Sequence, residues 1–350
     1  MKVFVTGNMG YVGSILTQYL KKKYPTIQLI GYDTSFFGHS LTGTNFIPER
    51  AVSTQHFGDI RDINQSMLCG VDAIVHLAGV SNDPIGKEFE DVTEDINRHA
   101  SLRLAKMAIK EGVKNFVFAS SCSMYGQVEG GSRKETDKTN PLTAYARSKI
   151  GTEEDLKDIS LGDMIFTSLR FATACGWSER LRLDLVLNDF VACAISSGEI
   201  TVLSDGTPWR PLIDVEDMSR AIDWAIHRKK SNGEQYLAIN AGKNSSNYQV
   251  KDIANAVAEL IPKTKISINK DALPDKRSYS VDFNLYEKLA PEFQPTITLD
   301  QSICRLRDGF FKMNFTNKNF RESSFFMRLH TLREHIKNNR LGKDLRWKFF

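Results

Sequence analysis

Three hundred and fifty residues, 41% hydrophobic and 25% charged, supply ample material for a folded core and exclude an acidic disordered chain. Forty-six Lys/Arg against 42 Asp/Glu leave a formal charge of +4, which makes no general case for nucleic acid. The surplus is uneven: residues 305–350 hold twelve basic and four acidic side chains, so residues 1–304 are net −4. Short β-rich apolar runs at 2–6, 28–32, 53–57, 73–77, 115–120 and 165–170 alternate with amphipathic stretches at 12–23, 93–111 and 143–161. That rhythm predicts βαβ crossovers and a doubly wound parallel sheet of the α/β class. Past residue 170 the alternation breaks. A helix near 184–197, strands near 199–204 and 236–240, and helices near 215–228 and 249–261 predict a smaller lobe, with some elements returning to the main sheet. The expected division is 1–170 for the nucleotide-binding domain, 171–304 mainly for a substrate lobe, and 305–350 for a basic helical tail.

The first strand runs into Gly7-Asn-Met9-Gly10-Tyr11-Val12-Gly13, three glycines spaced by three between a strand and a helix. Such spacing allows a tight turn, close approach of a pyrophosphate to backbone, and close helix–sheet packing. The free N–H groups of the helix start then face the phosphates. Asp33 ends the second strand, twenty residues after Gly13. A carboxylate there suits the ribose hydroxyls of NAD and would repel the 2′-phosphate of NADP.

Tyr145-Ala-Arg-Ser-Lys149 falls in a helical pattern, so phenol and ammonium share one face a turn apart. A neighbouring cation would favour phenolate and lower the tyrosine pKa towards working pH. Alone, the pair would be ordinary surface decoration. It gains meaning from Ser120-Ser121-Cys122-Ser123-Met124-Tyr125-Gly126 at the end of the fifth strand, because open α/β sheets place ligands at the carboxyl ends of their strands.

With these motifs in order, the sequence resembles the extended short-chain dehydrogenase/reductase superfamily, in its nucleotide-sugar epimerase/dehydratase branch, over roughly residues 1–300. The resemblance implies Tyr145 as base, Lys149 as the group that tunes it and holds the nicotinamide ribose, and Ser121 as hydrogen-bond partner of the reacting oxygen. It adds Asp59 and Ile60 of Gly-Asp-Ile-Arg-Asp beside the adenine, the turn Leu77-Ala78-Gly79 and Ser120 along the cofactor, and Asn97 on the following helix. For a nucleotide-diphosphate sugar it implies Ser81, Ser123, Thr173, Asn188, Arg210 and Arg277. NAD is the implied cofactor, and a homodimer or higher homo-oligomer, formed through the helices at 93–111 and 143–161, the implied assembly.

Two departures narrow the chemistry. Sugar 4,6-dehydratases of this branch carry Asp-Glu directly after the catalytic hydroxyl residue, whereas here Cys122-Ser123 follows, which disfavours elimination. The segment 170–184 lacks the branch's Asn and Pro and carries two extra arginines, Arg180 and Arg182, leaving the sugar open. The expectation is oxidation of a sugar hydroxyl, at C4, most simply by an epimerase. A dehydrogenase releasing the keto-sugar and a non-catalytic NAD sensor are the alternatives.

His76, at the end of a buried strand, reads as a packed hydrogen-bonded histidine, and Cys122 as structural. Five scattered cysteines without C-x-x-C read as reduced, mostly core thiols, with no metal site. Lacking a signal-like stretch or an apolar run of about 18 residues, the chain is expected to be cytoplasmic with no transmembrane segment. In the tail, 323–339 reads as an amphipathic helix. Docking on the acidic body or on a partner subunit is expected ahead of an anionic membrane surface.

Overall fold

The computed structural model describes residues 1–126, 130–269, 272 and 278–348. Among these residues twelve strands follow in chain order: β1 (Lys2–Thr6), β2 (Gln28–Asp33), β3 (Thr54–Phe57), β4 (Ala73–His76), β5 (Asn115–Ser121), β6 (Ile165–Phe171), β7 (Thr173–Cys175), β8 (Glu199–Val202), β9 (Trp209–Asp214), β10 (Tyr236–Ala241), β11 (Asn247–Gln249) and β12 (Lys265–Ile268). Seven make the main sheet in the order β10-β6-β5-β4-β1-β2-β3, every pairing parallel. The doubly wound sheet is therefore as read from the alternation, and β10 is the element of the second half that returns to it. A three-stranded sheet (β11-β9-β7) and a two-stranded one (β12-β8) form the smaller lobe.

Both faces of the main sheet are covered, which is why its strands read as near-continuous apolar runs. Along β1, Val3 and Val5 join one apolar cluster while Phe4 joins the opposite one. The same period-two division separates Val117 from Phe116 and Phe118 on β5. An aromatic row crosses the strands on the second face: His76 stacks near Phe118, Phe118 and Phe116 near Phe166, and Phe166 on Tyr236. A third cluster, including Phe190, Val257, Phe310, Phe315 and Phe326, forms the lobe's own core.

Helix boundaries contract relative to the sequence reading. The stretch expected at 143–161 is helical over Ala144–Lys157, capped by Thr143, whose hydroxyl accepts from the Ala146 N–H at 3.1 Å. The one expected at 93–111 is broken by a π-type turn at Asp95–His99 ahead of Ala100–Lys110. The expected boundary at 304/305 falls inside a helix, Leu299–Lys312, so the tail proper begins after it. Within the tail, the expected helix at 323–339 narrows to Arg328–Lys337. The tail docks on its own chain: Arg321 pairs with Asp189, Arg333 with Glu88, and Arg346 with Asp62.

Among the cysteines, Cys122, Cys175 and Cys193 are buried thiols, but Cys69 is exposed, because it lies in the turn before β4 and not in the core. No helix among the described residues is long and apolar enough to cross a membrane.

Candidate active site

One continuous cavity of about 750 Å³ runs along the carboxyl ends of β1, β2, β4, β5 and β6. At one end stands the glycine loop. Gly7 adopts a left-handed φ of 73°, and its missing side chain leaves room for the Ala78 N–H, which a Cβ would meet at 2.6 Å. Gly13 allows the helix Tyr11–Lys23 to close on the loop, since a Cβ there would lie 2.4 Å from the Gly7 carbonyl. Met9, Gly10, Tyr11, Val12 and Gly13 all line the cavity. Gly10 caps the helix without a side-chain bond, so backbone donors at its start face the cavity.

Asp33 lines the same end. The Met9 N–H donates to its Oδ2 at 3.0 Å and the Ser35 N–H to its Oδ1 at 2.7 Å. Burial raises its pKa and these two bonds oppose the rise. Each oxygen keeps capacity for a ribose hydroxyl. Asp59 and Ile60 close the adenine end. Burial works against the Asp59 carboxylate, but bonds from the Arg61 guanidinium at 2.6 and 2.9 Å outweigh it and hold the pKa low. Leu77, Ala78, Gly79 and Ser120 complete this wall, and the buried Ser120 hydroxyl has no hydrogen-bond partner among the described residues. The backbone cradle, the half-committed Asp33 and this unpartnered hydroxyl all fit NAD.

Ser121, Tyr145 and Lys149 meet at mid-cavity. Ser121 ends β5 and lies near enough to the Tyr145 phenol to work against the rise in its pKa. Its hydroxyl donates to Ser123 Oγ at 2.9 Å. Lys149 Nζ lies 4.6 Å above the Phe118 ring and 5.8 Å from that of Tyr145, so the aromatic row of the sheet supports the ammonium from below. The expected low tyrosine pKa is not a property of the protein alone. Enclosure pushes Tyr145 up to about 12, with the neighbouring Ser121 working the other way. Burial in turn lowers Lys149 to about 8, against the pull of Glu153. The site thus holds a protonated phenol beside a strained ammonium, poised for additional positive charge to shift the balance.

Ser81, Ser123, Thr173 and Arg210 also line the cavity, at the end away from the adenine. Two expected contacts lie elsewhere. Asn188 is fully buried and spends its amide on the Gly176 N–H, the Tyr11 hydroxyl and the Arg182 carbonyl, so it braces the loop 176–182 and does not face the cavity. Asn97, expected along the cofactor, exchanges both bonds with the Val80 backbone and donates to Ser148, fixing the Gly79 turn from behind. In both, the amide serves neighbouring backbone, and neither residue lines the cavity. Arg277 lies outside the described residues.

The reading from residue types missed the pair Arg182–Asp184. Arg182 donates to both Asp184 oxygens at 2.9 and 3.0 Å and to Ser81 Oγ at 3.2 Å, and Asn82 donates to Asp184 at 2.6 Å. Arg182 is close enough to Tyr145 to work against its pKa rise. The signal was the extra arginine in the 170–184 segment. The other one, Arg180, is buried on Glu49 and on the Gly38 carbonyl. His76 is a packed neutral histidine, bonded to Thr6 at 2.6 Å and Ser101 at 2.7 Å, its pKa lowered to about 3 by burial and then by Lys149. Cys122 turns away, its thiol donating to the Arg170 carbonyl at 3.0 Å, and burial pushes its pKa up.

Residues 3–242 match the model of the NAD dependent epimerase/dehydratase family. An uncharacterized UDP-glucose epimerase of Bacillus subtilis, YtcB, is 29% identical over 244 residues, spanning 67% of this chain and 75% of that one. The UDP-glucose 4-epimerase of Corynebacterium glutamicum is 25% identical over 287 residues, 75% of this chain and 84% of its own. Among solved structures, UDP-glucuronic acid 4-epimerase from Bacillus cereus, in complex with UDP-glucuronic acid and NAD, superposes with a TM-score of 0.73 at 21% identity, covering 89% of this chain and all of that one.

Proposed function

Since the chain belongs to the NAD-dependent epimerase/dehydratase family, we propose that it inverts a secondary hydroxyl of a UDP-sugar, at C4, by oxidising that carbon and reducing it again from the other face. The observation that carries this reading is the meeting of Ser121, Tyr145 and Lys149 in one cavity, between the NAD-fitting cradle and the Arg210 end. NAD, held by the glycine loop, Asp33 and Lys149, supplies a reversible two-electron acceptor and a positive ring. Ser121 donates to the substrate oxygen and orients it. Tyr145 takes the hydroxyl proton as the carbon is oxidised to the ketone and returns it when the carbon is reduced. Lys149 holds positive charge beside the phenol, favouring its ionised form. Arg210 suits the sugar's diphosphate, because a guanidinium fork matches phosphate oxygens. The relatives are named for UDP-sugar work, and no Asp-Glu follows Ser121, both of which favour epimerisation over elimination. A homodimer through the helices Ala100–Lys110 and Ala144–Lys157 belongs to the same reading.

The test is incubation of the purified chain with UDP-glucose, UDP-galactose, UDP-glucuronic acid and their N-acetyl forms, followed by NMR of the products. Interconversion of C4 epimers without net NADH is expected. Stoichiometric NADH with a released keto-sugar would make it a dehydrogenase, and no turnover with any donor would end the proposal.

A further inference from the structure

After the helix Leu299–Lys312 the main sheet is complete, yet the chain continues back across the cavity. Most anchors of this segment border the cofactor half or the lobe opposite. Arg321 grips Asp189 of the lobe at 2.6 and 2.8 Å. Arg333 grips Glu88. His335 Nε2 bonds the Phe36 carbonyl at 3.0 Å, and the Trp347 indole donates to the Thr34 carbonyl at 2.6 Å. Arg61, which fixes Asp59, donates to the Asp344 carbonyl at 2.9 Å. The inward side chains Met327, Arg328, Leu332 and Leu345 line the same cavity as the glycine loop and Asp33.

Arg328 is the unusual member. It is 2% exposed, its Nη2 donates to the Arg180 carbonyl at 3.0 Å, and its guanidinium lies 4.1 Å above the Phe37 ring. Its Nη1 is buried without a hydrogen-bond partner, and among the described residues no carboxylate pairs with it. Burial lowers its pKa to about 9, with Arg182 adding to the effect and the more distant carboxylates of Asp184 and Asp33 opposing it. Two other arginines on this cavity are neutralised, Arg182 by Asp184 and Arg321 by Asp189. Burying a cation without a counter-charge is costly unless a ligand supplies one. Asp33, the carboxylate of the cofactor end, acts on Arg328 from a distance but makes no ion pair with it, and its free capacity suits the ribose hydroxyls. The anion that remains to be placed beside a glycine loop is a diphosphate.

We propose that Arg328 is the protein's counter-charge for the diphosphate of NAD, carried in by a strap, residues 320–348, that seals the adenosine half of the cofactor. The inference rests on NAD binding and deepens the proposed function. A sealed cofactor stays through successive turnovers, so the electrons it takes return to the same sugar, as epimerisation requires and release of a keto-sugar does not.

Full-length protein is used for the test. Nucleotide released on denaturation is quantified by chromatography, and NAD, ADP and adenosine affinities of the stripped protein are measured by calorimetry. Wild type is expected to retain NAD through gel filtration. Arg328→Gln should weaken NAD and ADP about tenfold to a hundredfold while moving adenosine less than about threefold, the loss of one charged hydrogen-bonding group. Arg328→Lys should fall between. Arg333→Ala and Trp347→Ala, at the strap's surface anchors, should speed NAD loss without touching the diphosphate, and bound NAD should slow hydrogen exchange across 328–348. Equal weakening of ADP and adenosine by Arg328→Gln, unchanged NAD retention in the strap variants, or exchange indifferent to NAD would overturn the proposal. Should Arg328→Gln not fold, the two anchor variants and the exchange measurement decide alone. Wild type that epimerises a sugar while Arg328→Gln keeps NAD normally would sink the strap and leave the proposed function standing.

Discussion

The two halves of the cavity are made differently. The cofactor half is largely backbone: Gly7 and Gly13 shape the loop, the N–H groups of Met9 and Ser35 hold Asp33, and the Ala78 and Gly79 turn lies against the first glycine. The substrate half is side chain: Arg182, Asp184, Ser81, Thr173 and Arg210 converge from separate segments. Backbone geometry is written in local spacing, while converging side chains depend on where the fold carries distant loops. That contrast predicts how each half responds to substitution.

The largest effect belongs to the group between the halves. Tyr145→Phe removes the only proton acceptor of the proposed reaction and should lower turnover about 10²- to 10⁴-fold, while NAD binding measured by calorimetry stays near wild type. Comparable loss of NAD binding would mean the phenol belongs to the cofactor half.

Next in size is Arg182→Gln. It leaves Asp184 buried without its guanidinium and should cost about 3–5 kcal/mol of stability. Turnover of the sugar should fall with it, and NAD affinity should change little. The double variant Arg182→Gln/Asp184→Asn discharges the orphaned carboxylate and should recover most of the thermal midpoint without recovering turnover. Recovery of both would make the pair a scaffold only and erase the distinction between the halves.

Lys149 sharpens the comparison through pH. Burial depresses it from 10.5 to about 8, so between those values the folded protein binds fewer protons at this site than the unfolded chain. The penalty is present in full below about pH 8 and fades as pH rises from there towards 10.5. By that shift, Lys149→Met should stabilise the cofactor-free protein at neutral pH by at most about 3 kcal/mol, with the gain shrinking above pH 8. Turnover should be lost. A variant less stable than wild type at pH 7 would show that the ammonium is compensated by groups other than Glu153.

How much of this was legible in the sequence follows the same division. The parallel sheet, the glycine loop, Asp33 and the Ser121–Tyr145–Lys149 set are fixed by local periodicity, and the structure brings the set together in one cavity. Asn97 and Asn188 bond backbone and do not line the cavity, since residue type and position near a loop do not say which way an amide bonds. The Arg182–Asp184 pair lies two residues apart and still escaped, because its meaning depends on Ser81 and Asn82, about a hundred residues away. The strap shows the limit most clearly: its basic charge was countable, but nothing local says that Arg328 ends inside the cavity and Arg333 outside it.

The smallest expected effect concerns Cys122, immediately after Ser121. In related enzymes a cysteine near this place takes part in acid–base work, and proximity alone would suggest the same here. The structure points its thiol to the Arg170 carbonyl at 3.0 Å, on the far side of β5 from Tyr145 and packed in the apolar core. Burial holds the thiol protonated, so it can neither accept a proton at neutral pH nor reach the cavity. Cys122→Ala should therefore cost about 1 kcal/mol through lost packing and one weak bond, and leave turnover within about twofold of wild type. Ser123→Ala, which faces the cavity and accepts from Ser121, should move turnover further than that despite a smaller change in stability. The opposite order, with the cysteine mattering to rate and the serine to stability, would require the chain after Ser121 to turn its other face towards the sugar.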